Sequence, residues 1–151
     1  MKELVGKHIL SLSVNDDQSM LMFDTNAGPI IYEAEGDCCS DCWFADILFS
    51  YGGIDNSIVL SVEELEVPDW LERLMNTDGR TRQEEDNIYG YRLILDRESR
   101  MSSTGTCDII YRNSSNGYYG GWCSLVDPSA KWEMKKLGEA SWVKITGDWK
   151  A

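Results

Sequence analysis

Histidine is almost missing from this sequence. His8 is the only one in 151 residues, so it is the one imidazole available to serve a cysteine nucleophile or complete a metal site. Long apolar runs are missing too. None approaches the ~18 residues of a membrane span, and the longest, around Ile58–Val62, is strand-sized. The opening residues, Met1 to Lys7, show no apolar signal core and no small-residue cleavage site, which reads as a cytoplasmic protein. Positive charge is scarce: 14 Lys and Arg stand against 26 Asp and Glu, for a net charge of -12. That balance argues against a general binder of nucleic acid or anionic membranes. There is no internal repeat, low-complexity tract or interdomain linker, so residues 1–151 read as a single globular domain.

What is present suits a packed core. The chain is 42% hydrophobic with 6 Trp, 7 Tyr and 3 Phe, which excludes wholesale disorder. Nothing in it names a reaction. The acids are unevenly spread: nine against two bases in residues 1–50, twelve against six in 51–100, five against six in 101–151. Such an acidic body is either a solubilising surface or a face that competes with DNA for a basic partner.

The five cysteines are Cys38, Cys39, Cys42, Cys107 and Cys123. An odd count without a secretion signal disfavours a disulfide framework. Cys39 and Cys42 form a C-x-x-C, which invites a zinc or redox reading. A hairpin centred near Gly117 sets Cys107 and Cys123 about five residues, ~16 Å, out of step, so one ion cannot hold both. No parallel βαβ pattern surrounds the motif to support a thioredoxin-like role.

The periodicity predicts an α+β fold: a mostly antiparallel β-sheet with one or two short helices. Leu10, Leu12 and Val14 alternate with Ile9, Ser11 and Ser13, which places His8 on the apparent core face of a first strand. Polar turns at Asp16–Ser19 and Asn26–Pro29 then set off strands over Met20–Asp24 and Pro29–Glu35, an antiparallel meander. Phe44, Ile47, Leu48 and Tyr51 fall at i, i+3, i+4, i+7, which predicts a short helix over Asp41–Ser50 with Ser40 as N-cap. Ile58–Val67 reads as a strand, and Asp69 to Glu72 has capping-box spacing for helical turns to Met75. Residues 76–88 read as a charged loop. Tyr89–Leu95 alternates as a strand, Thr106–Asn113 and Trp122–Val126 read as a hairpin turning at Asn116-Gly117, and Trp142–Ile145 is a candidate edge strand.

Three segments carry chemistry. Asp37, Cys38 and Cys39 lie at the expected helix start, where free N–H groups bind anions and a thiol is activated; packed cysteines are the plain alternative. Arg80 and Arg82, at i and i+2, offer guanidinium forks for phosphate or carboxylate, or pair locally with Glu84, Glu85 and Asp86. The expected hairpin brings Arg112, Asn113, Asn116, Tyr118 and Tyr119, a mixture of aromatic area and adaptable hydrogen bonding suited to a binding loop.

Glu35-Gly36-Asp37-Cys38-Cys39-Ser40 with Trp43-Phe44-Ala45-Asp46-Ile47, then Asp78-Gly79-Arg80-Thr81-Arg82-Gln83, then Arg112-Asn113-Ser114-Ser115-Asn116-Gly117-Tyr118-Tyr119-Gly120-Gly121-Trp122 together resemble a family of small uncharacterised proteins of bacteriophage genomes and some bacterial chromosomes. The likeness runs from about Leu4 to Val126. It implies a phage or mobile-element context, hence a host-cytoplasm setting, and a shared site or structural knot for the three segments. It brings no established activity and no catalytic role.

The resulting expectation is a non-enzymatic binding protein, a phage accessory or anti-defence factor. It would sequester a small anionic or nucleotide-like ligand or block a host protein, with no cofactor and no metal; a homo-oligomer is compatible with it. A small hydrolase using Cys38 or Cys39 with Asp37 or Asp108 is one alternative. An acidic DNA mimic is another. Arg112, the hairpin tip and the Asp37–Cys39 junction are expected to line one concave site. The competing outcome is Arg112 buried in an ion pair with Asp108 or Asp37.

Overall fold

The computed structural model describes residues 1–67, 80, 83–97, 104–117 and 120–151. The expected helical turns over Asp69–Met75 lie outside these residues, as do Arg82, Tyr118 and Tyr119. Among the described residues ten strands form one sheet: β1 (His8–Asn15), β2 (Met20–Thr25), β3 (Gly28–Gly36), β4 (Asp41–Phe49), β5 (Ser57–Glu64), β6 (Glu85–Asp96), β7 (Thr104–Ser115), β8 (Gly121–Leu125), β9 (Trp142–Ile145) and β10 (Trp149–Lys150). Among the described residues the single α-helix is α1 (Lys131–Glu139). No helix there is long and apolar enough to cross a membrane.

The strand order is β10-β4-β7-β6-β5-β1-β2-β3-β8, with β9 pairing β1. All pairs are antiparallel. β1 is shared: its first residues pair β5, and Leu12–Asn15 pair β9. The expected meander is present as β1-β2-β3. The sheet curls, so that the backbone N–H of Phe44 on β4 donates to the carbonyl of Gln18 in the β1–β2 turn, at 2.8 Å. Phe23 and Tyr32 from one side thereby share a core with Phe44, Leu93, Ile109 and Tyr111 from the other.

Several expectations are corrected. Residues 41–49 form β4 and not a helix. A bulge at Ala45 shifts the register between Phe44 and Asp46, so Phe44 and Ile47 face one core while Trp43 and Ala45 face a second cluster. A strand buried on both faces with one extra residue reproduces the helical spacing. A second bulge, between Ile9 and Ser11, turns Ile9 inward and leaves Leu10 43% exposed. The expected hairpin does not form: β7 lies between β4 and β6, and β8 pairs β3. The out-of-step argument against zinc, which rested on that hairpin, therefore lapses. The charged stretch 76–88 gives its end to β6, which begins at Glu85.

Candidate functional site

The three motif segments converge where β3 ends, β4 begins and β7 ends. Gly36 pairs Gly121 on β8, and both press on Asn113 of β7. A Cβ on Gly121 would stand 2.7 Å from Asn113 Cβ and 3.0 Å from Cys42 Sγ; one on Gly36 would stand 2.6 Å from Asn113 Oδ1. Both glycines leave the room that the packed side chains of Asn113, Cys42 and Ser40 occupy, which a Cβ would displace.

The last turns of β7 are buried on both faces. Arg112 is 1% exposed and Asn113, Ser114 and Ser115 are fully buried. Arg112 grips Asp86 of β6 with two bonds, Nε to Oδ1 at 3.1 Å and Nη2 to Oδ2 at 2.5 Å. The competing outcome for Arg112 is thus the one observed, with a different partner, because Asp108 is held by Arg92 through two bonds of 2.7 Å. Arg80 lies over the Trp43 ring, 4.8 Å from its centroid. Its guanidinium donates to the Asp17 carbonyl at 2.9 Å and to Gln18 Oε1, and faces Asp41 at 3.4 Å. Gln83 closes the knot: its N–H donates to Ser114 Oγ at 2.7 Å, and its Nε2 donates to the Cys39 carbonyl at 2.8 Å.

Asp37, Cys38 and Cys39 sit in the turn between β3 and β4, exposed. With no helix following, the turn has no helix N-terminus to hold an anion or lower a thiol. The hydrogen bond to Cys39 pushes the Cys38 thiol up. The C-x-x-C is split: Cys42 is drawn into the core cluster with Cys123, and burial pushes each of those thiols up to about 12. Asn116 is exposed beside Gly117, whose φ of +93° is the left-handed turn that Asn-Gly favours. The structure therefore joins Asp37, Cys39, Arg80, Arg112 and Asn113 in one neighbourhood, with Arg112 and Asn113 inside it.

A cleft of about 620 Å³ opens beside this knot, where β5 departs from β6. Its walls are residues 64–67, residues 86–91 and Tyr111. Tyr111 stacks with Tyr89 at 5.1 Å and 20°, and with Tyr91 at 6.2 Å and 16°. Burial pushes the Tyr111 and Tyr91 hydroxyls up, so both stay protonated as donors. Exposed Glu64 and Glu66 make the mouth acidic, and Asp86 joins the cleft to Arg112. The motif-based reading missed this trio. Its signal was Tyr89 and Tyr91 at i, i+2 on one strand face, but the partner Tyr111 comes from a strand whose pairing was misread.

No family model, no curated protein and no solved structure matches the chain.

Proposed function

We propose that the protein is a non-enzymatic binding protein that takes a flat, base-like small molecule of nucleoside type into the tyrosine cleft. This is the chemistry of a phage accessory factor that withdraws a host small molecule. One observation carries it: three near-parallel tyrosine rings in a cleft of about 620 Å³. Small-molecule sites occupy about 300–1,000 Å³ and combine aromatic walls with a few polar groups. A base stacked on tyrosine gains about 1–3 kcal/mol. The carboxylates of Glu64 and Glu66 suit ring N–H and amino groups, not phosphate. Arg80 and Arg112, the guanidiniums that would have clamped a phosphate, already grip carboxylates and carbonyls. The cysteine-hydrolase alternative loses support, because β4 and not a helix follows the turn, so no helix N-terminus activates Cys38 or Cys39.

Calorimetric titration with adenosine, guanosine and cytidine, and with their monophosphates and cyclic monophosphates, tests this reading. At least one nucleoside should bind the wild type, bind Tyr89→Ala at least tenfold more weakly, and gain nothing from a phosphate. Affinity that rises with phosphate and falls in Arg80→Ala, or no binding to any of them, would overturn it.

A further inference from the structure

The turn between β3 and β4 presents two thiols from adjacent residues. Cys38 and Cys39 are both exposed, and their sulfurs lie 3.3 Å apart in hydrogen-bond contact. Two thiolates on one tetrahedral zinc ion, at about 2.3 Å each, would stand ~3.8 Å apart. The observed gap is shorter, and closing it to a disulfide of about 2.05 Å needs a movement of ~1.3 Å. The turn is fixed around this pair. Cys39 has φ +70°, the left-handed region that non-glycine residues rarely enter. Its carbonyl is held by Gln83, and Ser40 bonds back to the Asp37 carbonyl through its N–H at 3.1 Å and its Oγ at 2.7 Å. The other three thiols are buried or half-buried, so the exposed thiols of the chain are concentrated here.

We propose that Cys38 and Cys39 form a two-thiol redox site that closes to a disulfide between neighbouring residues on meeting a small disulfide of the oxidised-glutathione class. Either sulfur can donate the hydrogen bond between them, and the exchange starts with attack by one of the pair, here Cys39. It loses its proton to water and bonds to one oxidant sulfur; the oxidant's S–S bond breaks, and one glutathione leaves as thiolate and takes up a proton. The Cys38 sulfur then gives up its proton and attacks Cys39, which breaks the mixed disulfide and releases the second glutathione. Two protein thiols lose two electrons and two protons, and one glutathione disulfide becomes two thiols. Adjacent Cα atoms stand about 3.8 Å apart across a trans peptide, closer than the usual 4.4 Å minimum for a disulfide. The ring is therefore strained and reopens readily with a dithiol, as labile disulfides do. Closure also moves the Cys39 peptide, so it is felt at Gln83.

The native protein treated with oxidised glutathione, acid-quenched and weighed intact, tests the site. The expected product is lighter by two hydrogen atoms, has lost two of its five thiols, yields a peptide cross-linked at Cys38 and Cys39, and regains both thiols with dithiothreitol. Cys38→Ser should instead accumulate a stable glutathione adduct on Cys39. A Cys38→Ser, Cys39→Ser double variant with an unchanged melting temperature confirms that the turn tolerates the changes. Lasting glutathione adducts on the wild type, disulfide-linked dimers, or five unreacted thiols would each overturn the proposal.

Discussion

Among the described residues Arg112 is the most deeply buried charged residue, 1% exposed, and the local structure is arranged around it. Its side chain is 2% exposed and that of its partner Asp86 is 19% exposed. Ion pairs of this kind add little against a well-packed apolar replacement, but losing one partner strands the other. Arg112→Ala should therefore cost ~3–5 kcal/mol, a large share of the 5–15 kcal/mol typical of a whole domain. Urea denaturation checks this, and Arg112→Met combined with Asp86→Leu should recover most of the loss. A near-neutral Arg112→Ala would mean that the pair contributes nothing to the fold. From the sequence alone Arg112 is expected to line a binding site, with a buried ion pair as the competing outcome. The deciding fact was long-range: Asp86 stands two residues before Ile88, the Arg112 partner on the neighbouring strand, in a stretch whose composition resembles a loop.

At the scale of elements, burial patterns rather than local preference decided what was legible. The β1-β2-β3 meander could be read because its turns are short and rich in Asp, Asn and Gly. β4 could not, since its bulge and two buried faces imitate a helical stripe. α1 gave no signal because its amphipathicity is inverted: Trp132 and Met134 are 62% and 59% exposed, whereas Glu133 is 4% exposed. The helix packs Leu137 near Met20, Ile31 and Val126, and Lys136 reaches over to Glu33 of β3. Burial pushes the Glu133 carboxyl above its ordinary value of 4.5, Glu33 pushes the same way, and Lys136 opposes them. A raised folded-state value means stability that is fully present below the unfolded value and lost as pH rises through the folded one. Glu133→Gln, which cannot ionise, should match the wild type near pH 4 and exceed it near pH 7. Melting temperatures across that range check the sign. A difference that is constant, or that favours the wild type at neutral pH, would contradict it.

Across the whole molecule, a net charge of -12 sets a field that repels anions and draws cations, and the cleft mouth shares that sign. The curl of the sheet brings the three motif segments into one knot, and the knot in turn supports the wall of the cleft through Asp86. A shared site or structural knot is an expectation drawn from the family resemblance of the three motifs. That the open space would lie beside it, lined by tyrosines, depended on where β5 leaves β6, which no local pattern records. The most direct measurement is a two-dimensional amide NMR titration of the labelled protein with the best-binding nucleoside. The expected shifts cluster at residues 64–67, residues 86–91 and Tyr111. Shifts concentrated at Asp37–Cys39, Arg80 and Asn116, with the tyrosine cleft unmoved, would contradict the assignment of the cleft as the binding site.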